Sequence, residues 1–358
     1  MQVGDANPKN PMATQDKVIL LDPYPRTIDS LFNARDKTRL EKLGHVIWHD
    51  GSPASAEHIE RYMPDTIALL GQTAMPRERL DRAPNLRLIA NVESNFLPNV
   101  DYAECVRRGI YVISTGPVFA QPVAEMALGY ALAAARRMTQ ADAAIRTGNE
   151  SLYGVGDNTD SFLLHGKTLG LLGCGNLGRA LLPLLRPFSQ DILVHDPWLH
   201  DSVLREMDVE PVGFDDLFRR SKVVFVLTAV TSENQGFIGA KQFGLMQPGS
   251  VFVLASRAAV VNYDDMLDAA ERGHIRVAAD VFPVEPIPKG HRARRTPNTV
   301  LGAHRAGNVP EIWTKMGEMV TDDLELILRG LPPQRCQRAN VETVARIRSM
   351  PAQSLDHK

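Results

Sequence analysis

The chain has 358 residues, and its 40 lysine and arginine residues against 42 aspartate and glutamate residues give a formal net charge of −2. This balance lacks the overall positive charge of a typical nucleic-acid-binding protein, and no uncharged apolar run approaches the roughly 18 residues that a membrane span needs, so we expect neither as a partner. Three widely spaced cysteines, Cys105, Cys174 and Cys336, predict a reducing, cytoplasmic environment with neither a disulfide framework nor a metal site.

The first half of the chain alternates short aliphatic runs with amphipathic segments. Residues 1–16 show no periodicity, and we expect them to form a disordered leader. Strands that alternate with helices in this way predict βαβ units and a parallel sheet. The strand candidates are Val18–Leu21, His45–Trp48, Ile67–Leu70, Leu86–Ala90 and Ile110–Ile113.

A long helix over Val123–Met138, rich in Ala, Leu and Met, opens the second half. Six further strands in alternation with helices predict a complete doubly wound nucleotide-binding sheet. These strands are Thr168–Leu172, Asp191–His195, Val223–Leu227, Ser250–Leu254, Arg276–Ala279 and Thr299–Leu301. An amphipathic pattern predicts a last helix over Ile312–Arg329, and we expect the polar segment 346–358 to be a disordered tail.

A glycine-rich turn, G-x-G-x-x-G, follows the first strand of the second half and precedes a helix. Gly173 permits the tight turn, Gly175 lets a diphosphate approach the backbone, and Gly178 allows the helix to pack on the strand. Asp196, at the end of the next strand, is placed to accept hydrogen bonds from the adenosine ribose and to repel a 2′-phosphate, which favours NAD over NADP. We assign the cofactor site to Gly173, Gly175, Asn176, Leu177, Gly178 and Asp196.

Three candidate catalytic side chains follow three successive strands near their carboxyl ends. Taken singly, Arg257 is a surface charge, Glu285 a solvated acid and His304 a structural histidine. Together they fit hydride transfer to a ketone, because a histidine can protonate the developing alkoxide and a carboxylate can orient the ring. An arginine fork can bind the neighbouring substrate carboxylate.

These motifs, in this order, resemble those of the D-isomer-specific 2-hydroxyacid dehydrogenases, from about Leu86 to Gly307. The matching segments include HGKTLGLLGCGNLGRA, VFVLASR, AADVFPVEP and PNTVLGAH. The resemblance implies an α/β fold of two Rossmann-like or flavodoxin-like doubly wound parallel-sheet domains. It also implies that the NAD-binding domain, 118–307, is inserted into a substrate domain made of 17–117 and 308–345.

By the same resemblance, Arg257, Glu285 and His304 are the catalytic residues. The protein is expected to be a homodimer formed largely through the nucleotide domain, and Asp280 to contact the nicotinamide carboxamide. The implied cofactor contacts further include Thr228, Ala255, Arg257, Asp280, His304 and Gly307. The implied substrate contacts are Glu93, Ser94, Asn95, Arg257 and His304.

The sequence departs from the family pattern where substrate specificity is set. The usual glycine-rich substrate loop is here Glu93–Asn99, in which charged Glu93 and bulky Phe96 should reshape the pocket. Arg305 stands where an aliphatic residue is common. Together with Glu93 it suggests a more polar substrate with a second anionic group opposite Arg305, and the equally weighted alternative is an arginine that only faces solvent. The other departures are Ala229 for Pro and Ala258-Ala259 for Gly-Gly.

The leading hypothesis is an NAD-dependent oxidoreductase that interconverts a small 2-keto acid and its D-2-hydroxy acid. An alternative is an NAD(H)-sensing regulatory protein of the same fold with little or no turnover. A formate- or phosphite-type dehydrogenase is disfavoured by Glu285, because formate enzymes resembling this pattern carry Gln there. An adenosylhomocysteine-hydrolase-like enzyme is disfavoured by the short chain.

Overall fold

The computed structural model describes residues 17–93, 96–149 and 160–348. These residues form two compact units that alternate along the chain. Unit 1 consists of 17–117 and Pro310–Ala345, and unit 2 consists of Val118–Val309 and Arg346–Arg348. The chain therefore passes from unit 1 to unit 2 after Pro117 and returns after Val309, where the sequence analysis placed the changes after residues 117 and 307. The expected leader, 1–16, lies outside the described residues.

Unit 1 contains a six-stranded sheet in the order β13-β5-β4-β3-β1-β2, parallel except for β13. Its strands are β1 (Val18–Asp22), β2 (His45–Ile47), β3 (Thr66–Gly71), β4 (Leu88–Asn91), β5 (Tyr111–Ser114) and β13 (Gln337–Arg338). Every residue of β1 and β3 is buried, as expected for a parallel sheet that is covered on both faces. The order 2-1-3-4-5 of the parallel strands is flavodoxin-like.

The helices of unit 1 include one that the chain adds only after unit 2. They are α1 (Ile28–Leu31), α2 (Ala34–Leu43), α3 (Ala56–Tyr62), α4 (Arg77–Leu80), α5 (Tyr102–Arg108), α13 (Pro310–Leu328) and α14 (Val341–Val344). Helix α13 packs tightly on α1, because a Cβ atom at Gly317 would lie 2.2 Å from the Leu31 carbonyl oxygen. Its observed bounds confirm the predicted helix to within two residues.

Unit 2 contains a seven-stranded parallel sheet in the order β12-β11-β10-β9-β6-β7-β8. The strands are β6 (Leu169–Leu172), β7 (Ile192–His195), β8 (Glu210–Pro211), β9 (Val223–Val226), β10 (Ser250–Leu254), β11 (Ile275–Ala279) and β12 (Thr299–Leu301). Counted within the unit, this is the doubly wound order 3-2-1-4-5-6 with one more strand at the edge. The prediction of six strands missed β8, which is two residues long and contains Pro211.

Helices cover both faces of this second sheet. They are α6 (Ala120–Ala135), α7 (Met138–Arg146), α8 (Asn176–Leu185), α9 (Asp201–Arg205), α10 (Phe214–Arg220), α11 (Ala240–Leu245) and α12 (Tyr263–Glu271). One apolar core contains buried residues of α6 and α8, and a second contains those of α10, α11 and α12.

Single 3₁₀ turns occur in both units. They lie at Met63–Asp65, Gly116–Phe119, Ala258–Val260 and Arg292–Arg294.

The segment Gly116–Ala135 is long and apolar enough, by length and composition alone, to cross a membrane. In the structure, α6 instead contributes seven buried side chains to the core of unit 2, among them Val123, Ala127 and Tyr130. We therefore interpret it as a core helix, in which apolar residues on several sides reflect burial against the sheet and α8.

The prediction of a disordered tail over 346–358 is wrong for its first three residues. Arg346–Arg348 belong to unit 2, where Ile347 forms an antiparallel bridge with Thr231. The Ser232 N–H donates to the Arg346 carbonyl at 2.8 Å, and the Arg348 N–H donates to the Val230 carbonyl at 3.1 Å. These backbone hydrogen bonds order a segment whose polar composition gave no strand signal. Residues 349–358 lie outside the described residues.

Candidate active site

The register of the sheet in unit 2 brings the glycine-rich turn to the ends of its neighbouring strands. Leu172, the last residue of β6, is in register with His195 of β7 and Val226 of β9. Gly173 donates its N–H to the His195 carbonyl at 2.9 Å. Since the order of the strands reverses between β6 and β9, the turn lies at the topological switch point, where doubly wound sheets bind their ligands.

The three glycines of the turn occupy three different environments. Gly173 has a φ of +95°, a left-handed conformation that favours glycine, and a Cβ atom there would lie 3.1 Å from the backbone of Thr228. At Gly178 a Cβ atom would lie 2.6 Å from the Gly173 carbonyl oxygen, whereas at Gly175 it would meet no described atom within 4 Å. The turn is therefore closed where α8 meets β6 and open at Gly175, which fits the approach of a diphosphate to the backbone at the start of α8.

The carboxylate of Asp196 accepts hydrogen bonds from two backbone N–H groups, one in the glycine turn and one just after β7. Its Oδ2 accepts the N–H of Cys174 at 2.7 Å, and its Oδ1 accepts the N–H of Trp198 at 2.9 Å. Each carboxylate oxygen can accept more than one hydrogen bond, so the group is held in place with acceptor capacity left. These contacts fit a ribose-binding carboxylate at the end of β7.

The other expected cofactor residues lie at the same carboxyl edge or close to it. Thr228 faces Gly173 across the turn, and Ala255 directly follows β10 and is buried. Gly307 packs against the ring of Phe119, since a Cβ atom there would lie 3.0 Å from that ring. Their contacts with a dinucleotide stay predictions.

The three catalytic candidates meet because the last three strands end in register. Leu254 of β10 pairs with Ala279 of β11, and Ala279 pairs with Leu301 of β12. Arg257, Glu285 and His304 follow these ends within six residues. The sheet therefore delivers all three side chains to one edge of unit 2, the edge that also carries the glycine turn.

Glu285 and His304 are in direct contact. His304 Nδ1 lies 2.5 Å from Glu285 Oε2, and the backbone N–H of Phe282 donates to Glu285 Oε1 at 2.8 Å. Burial favours the neutral acid, but hydrogen bonds from His304 and Phe282 and the positive charges of His304 and Arg257 outweigh it, so the pKa of Glu285 lies below its usual range. Glu285 is thus an ionised acceptor that orients the imidazole ring of His304. Among the described residues, no group forms a hydrogen bond with Nε2 of His304.

Arg257 lies close enough to Glu285 for its charge to act on that carboxylate. Its Nη1 donates to the carbonyl of the preceding residue, Ser256, at 2.8 Å, and its side chain is partly buried. A partly desolvated guanidinium beside the Glu285–His304 pair is suited to bind a carboxylate next to the carbonyl that the histidine would protonate.

Asp280 is buried, with a relative exposure of 1%. Its Oδ1 accepts the Tyr130 hydroxyl at 2.7 Å, and its Oδ2 accepts the N–H of Ala306 at 2.9 Å. The structure therefore gives this carboxylate partners within unit 2, while the expected contact with a nicotinamide carboxamide stays a prediction.

In unit 1, Glu93 forms a two-pronged ion pair with Arg26. Arg26 Nε lies 2.6 Å from Glu93 Oε1, and Nη2 lies 3.2 Å from Oε2. The charge that was expected to reshape a substrate pocket is thus balanced by an arginine that follows β1. Phe96 is buried and packs edge-on against Tyr102. The other expected substrate contacts, Ser94 and Asn95, lie outside the described residues.

Sequence reasoning missed Tyr130 and Arg26. Tyr130 is 150 residues from Asp280, and Arg26 is 67 residues from Glu93. Tyr130 lies in a helix whose composition indicated only packing, and Arg26 lies in a loop after β1 without any motif. No local pattern could have paired them, although a tyrosine in an Ala-rich helix was a signal that a polar group is accommodated there.

Comparisons with known proteins place the chain beside one family of sequences and structures. Residues 128–306 match the sequence model described as "D-isomer specific 2-hydroxyacid dehydrogenase, NAD binding domain". The chain is 32% identical over 291 residues to a glyoxylate reductase of Korarchaeum cryptofilum, covering 80% of this chain and 87% of that protein. It is 27% identical to a D-3-phosphoglycerate dehydrogenase of Methanocaldococcus jannaschii, covering 81% of this chain and 55% of that protein.

A crystal structure of a phosphoglycerate oxidoreductase from Rhizobium etli superposes on this chain with a TM-score of 0.81 at 39% identity. It covers 91% of this chain and 99% of that one. The likeness therefore extends over both units as well as the segment matched by the sequence model.

Proposed function

Since this chain belongs to the D-isomer-specific 2-hydroxyacid dehydrogenase family, and is accordingly an NAD(P)-dependent 2-hydroxyacid oxidoreductase, we propose that it reduces a small 2-keto acid to the D-2-hydroxy acid with NADH. The observation that carries the proposal is the contact between Glu285 and His304 beside Arg257. Glyoxylate is the first substrate to test, because several similar proteins are glyoxylate reductases.

Each member of the site has one task in this reaction. NADH held by the glycine turn and Asp196 would supply the hydride for the substrate carbonyl carbon. His304 donates a proton from Nε2 to the carbonyl oxygen, while ionised Glu285 holds the ring through Nδ1 and stabilises the imidazolium. Arg257 binds the substrate carboxylate and so orients the neighbouring carbonyl group. In the oxidation direction the same histidine accepts the proton of the hydroxyl group.

The cofactor preference follows from Asp196. Its carboxylate is fixed at the end of β7 by the N–H groups of Cys174 and Trp198. A 2′-phosphate placed beside this charge would be repelled by up to about 4 kcal/mol per charge pair at 4 Å with an effective dielectric of about 20. We therefore propose NAD rather than NADP as the preferred cofactor.

We also propose that the protein is a cytoplasmic homodimer that associates through unit 2. Cys105, Cys174 and Cys336 are all free thiols, which fits a reducing compartment. Met138 and Ile145 expose 57% and 52% of their surface on α7. They lie seven residues apart, on one face of the helix, and we propose this face as the surface through which two copies associate.

A steady-state assay tests the proposed activity. The purified chain is mixed with NADH or NADPH and a panel of glyoxylate, hydroxypyruvate, pyruvate, 3-phosphohydroxypyruvate and 2-oxoglutarate, and the cofactor absorbance is followed. Oxidation of D- and L-lactate or D- and L-glycerate with NAD then tests the stereochemistry. Turnover of a 2-keto acid and of the D-isomer alone is expected. Tight NADH binding without turnover of any keto acid would instead favour the regulatory alternative.

A further inference from the structure

A buried tyrosine is linked to the loop that carries His304. We propose that Tyr130 is a positioning residue for the reaction, because its hydroxyl group, acting through Asp280, fixes the backbone of the His304 loop (residues 302–306). This inference rests on the proposed function in so far as His304 is the acid/base.

Asp280 holds three consecutive backbone N–H groups of the His304 loop. Its carbonyl oxygen accepts the N–H of His304 at 2.7 Å. Its carboxylate accepts the N–H of Arg305 at 3.3 Å through Oδ1 and that of Ala306 at 2.9 Å through Oδ2. A single buried residue therefore determines where the loop lies at the end of β12.

The backbone of His304 needs such support. Its φ is +51°, in the left-handed region that residues with a side chain seldom occupy. Conformations of this kind persist where the surrounding structure enforces them. The hydrogen bonds to Asp280 are those constraints, and a small rotation of the loop would carry the imidazole away from Glu285.

Tyr130 in turn fixes Asp280. Its hydroxyl donates to Asp280 Oδ1 at 2.7 Å from the buried face of α6. Burial and then the carboxylate of Asp280 raise the pKa of Tyr130 above its usual range, so the hydroxyl keeps its proton and acts as the donor. Since α6 is a core helix, the hydrogen bond ties Asp280 to a rigid element.

Gly302 leaves room for the Tyr130 hydroxyl because it has no side chain. A Cβ atom at Gly302 would lie 2.0 Å from Tyr130 Oη and 2.2 Å from Asp280 Oδ1. Any larger residue at 302 would therefore displace the tyrosine hydroxyl or the carboxylate. The absence of a side chain at Gly302 therefore matches the position of the Tyr130 hydroxyl. This match indicates that the tyrosine is fitted to the His304 loop in particular and does more than fill the core.

The experiment compares Tyr130→Phe, which removes only the hydroxyl, with Thr66→Val in unit 1. Thr66 is also buried, and its hydroxyl donates a hydrogen bond of 2.7 Å to the carbonyl of the less buried Tyr62. Both variants should unfold at lower temperature. For Tyr130→Phe alone we expect kcat to fall about tenfold, as the loss of a hydrogen bond to a charged group allows. The KM for NADH should change less than kcat, because the glycine turn is untouched and only the expected contact of Asp280 with the nicotinamide is affected.

A second readout does not depend on turnover. Hydrogen exchange followed by mass spectrometry, on peptides covering 302–306, should be faster in Tyr130→Phe and unchanged in Thr66→Val. Tyr130→Leu should also make Gly302→Ala less harmful than it is in the wild-type background, since the closest clash is then removed.

The proposal is overturned if Tyr130→Phe loses thermal stability while kcat and exchange over 302–306 stay at wild-type values. Tyr130 would then be a packing residue only. A wild-type protein that turns over no keto acid would refute the proposed function, whereas the exchange rates would still decide whether Tyr130 fixes the loop.

Discussion

His304 is the residue on which the proposed chemistry depends most directly. General acid–base assistance contributes about 10²–10⁴-fold to the rate, so His304→Gln should lower kcat by that factor. The KM for NADH should change little, because the glycine turn and Asp196 remain. Steady-state kinetics together with NADH fluorescence titration measure both quantities. Full activity in His304→Gln would exclude it as the acid/base.

Asp196 should set the choice between the two cofactors. In Asp196→Asn the negative charge is lost, and we expect the ratio of kcat/KM with NADPH to that with NADH to rise about tenfold or more, since each 1.4 kcal/mol of removed repulsion is worth tenfold. Asp191→Asn is the matched control, because Asp191 precedes the other end of β7 and accepts a hydrogen bond from Thr168. An unchanged ratio in Asp196→Asn would refute the assignment.

At the scale of elements, two glycines of the turn between β6 and α8 should have different roles. Gly178 should be needed for packing and Gly175 for binding of the cofactor. Gly178→Ala forces a Cβ atom against the Gly173 carbonyl and should cost about 1–3 kcal/mol of the free energy of unfolding. Gly175→Ala enters open space and should change stability by no more than about 0.5 kcal/mol.

Binding of NADH should show the complementary pattern. We expect Gly175→Ala to weaken NADH binding at least about tenfold, because its methyl group lies where the diphosphate approaches the backbone. Thermal denaturation and fluorescence titration of both variants provide the comparison. Equal NADH affinity in wild type and Gly175→Ala would place the diphosphate elsewhere.

Elements with a strong local signal were predictable from the sequence. The sequence predicts the aliphatic strands of both units and the glycine turn to within a few residues. It does so because consecutive side chains in these segments show a clear pattern of apolar residues. Strands β8 and β13, each two residues long, carry no such pattern. Helix α8 extends from Asn176 to Leu185 through Pro183. Proline disfavours the interior of a helix, so packing outweighs the local preference there.

The site was only partly predictable for the same reason. Strand order and register place Arg257, Glu285 and His304 together, and both follow from the doubly wound pattern. The Tyr130–Asp280 and Arg26–Glu93 contacts join residues far apart in sequence, and neither belongs to a motif. Only the three-dimensional fold shows that Arg26 balances the charge of Glu93 and that Asp280 and Tyr130 fix the His304 loop.

At the scale of the whole molecule, self-association should depend on the exposed face of α7. We expect the wild-type protein to be a dimer, and Ile145→Glu to weaken the dimer about a hundredfold, since an unpaired charge in an apolar interface costs on the order of 3 kcal/mol. Val106→Glu on α5 is the control, because Val106 is equally exposed, at 53% against 52%, but lies in unit 1. Light scattering over a range of concentrations distinguishes the two. A monomeric wild type, or dissociation caused equally by Val106→Glu, would refute association through α7.

The return of the chain from unit 2 to unit 1 has a consequence for synthesis on the ribosome. Strands β1 to β5 emerge first, but α13, which packs on α1, and β13, which pairs with β5, are translated only after Val309. Unit 2, by contrast, is almost continuous and can bury its core as soon as β12 has emerged. The six-stranded sheet that is begun first is therefore completed only after unit 2 has emerged, and its aliphatic strands stay partly uncovered while nearly two hundred further residues are added.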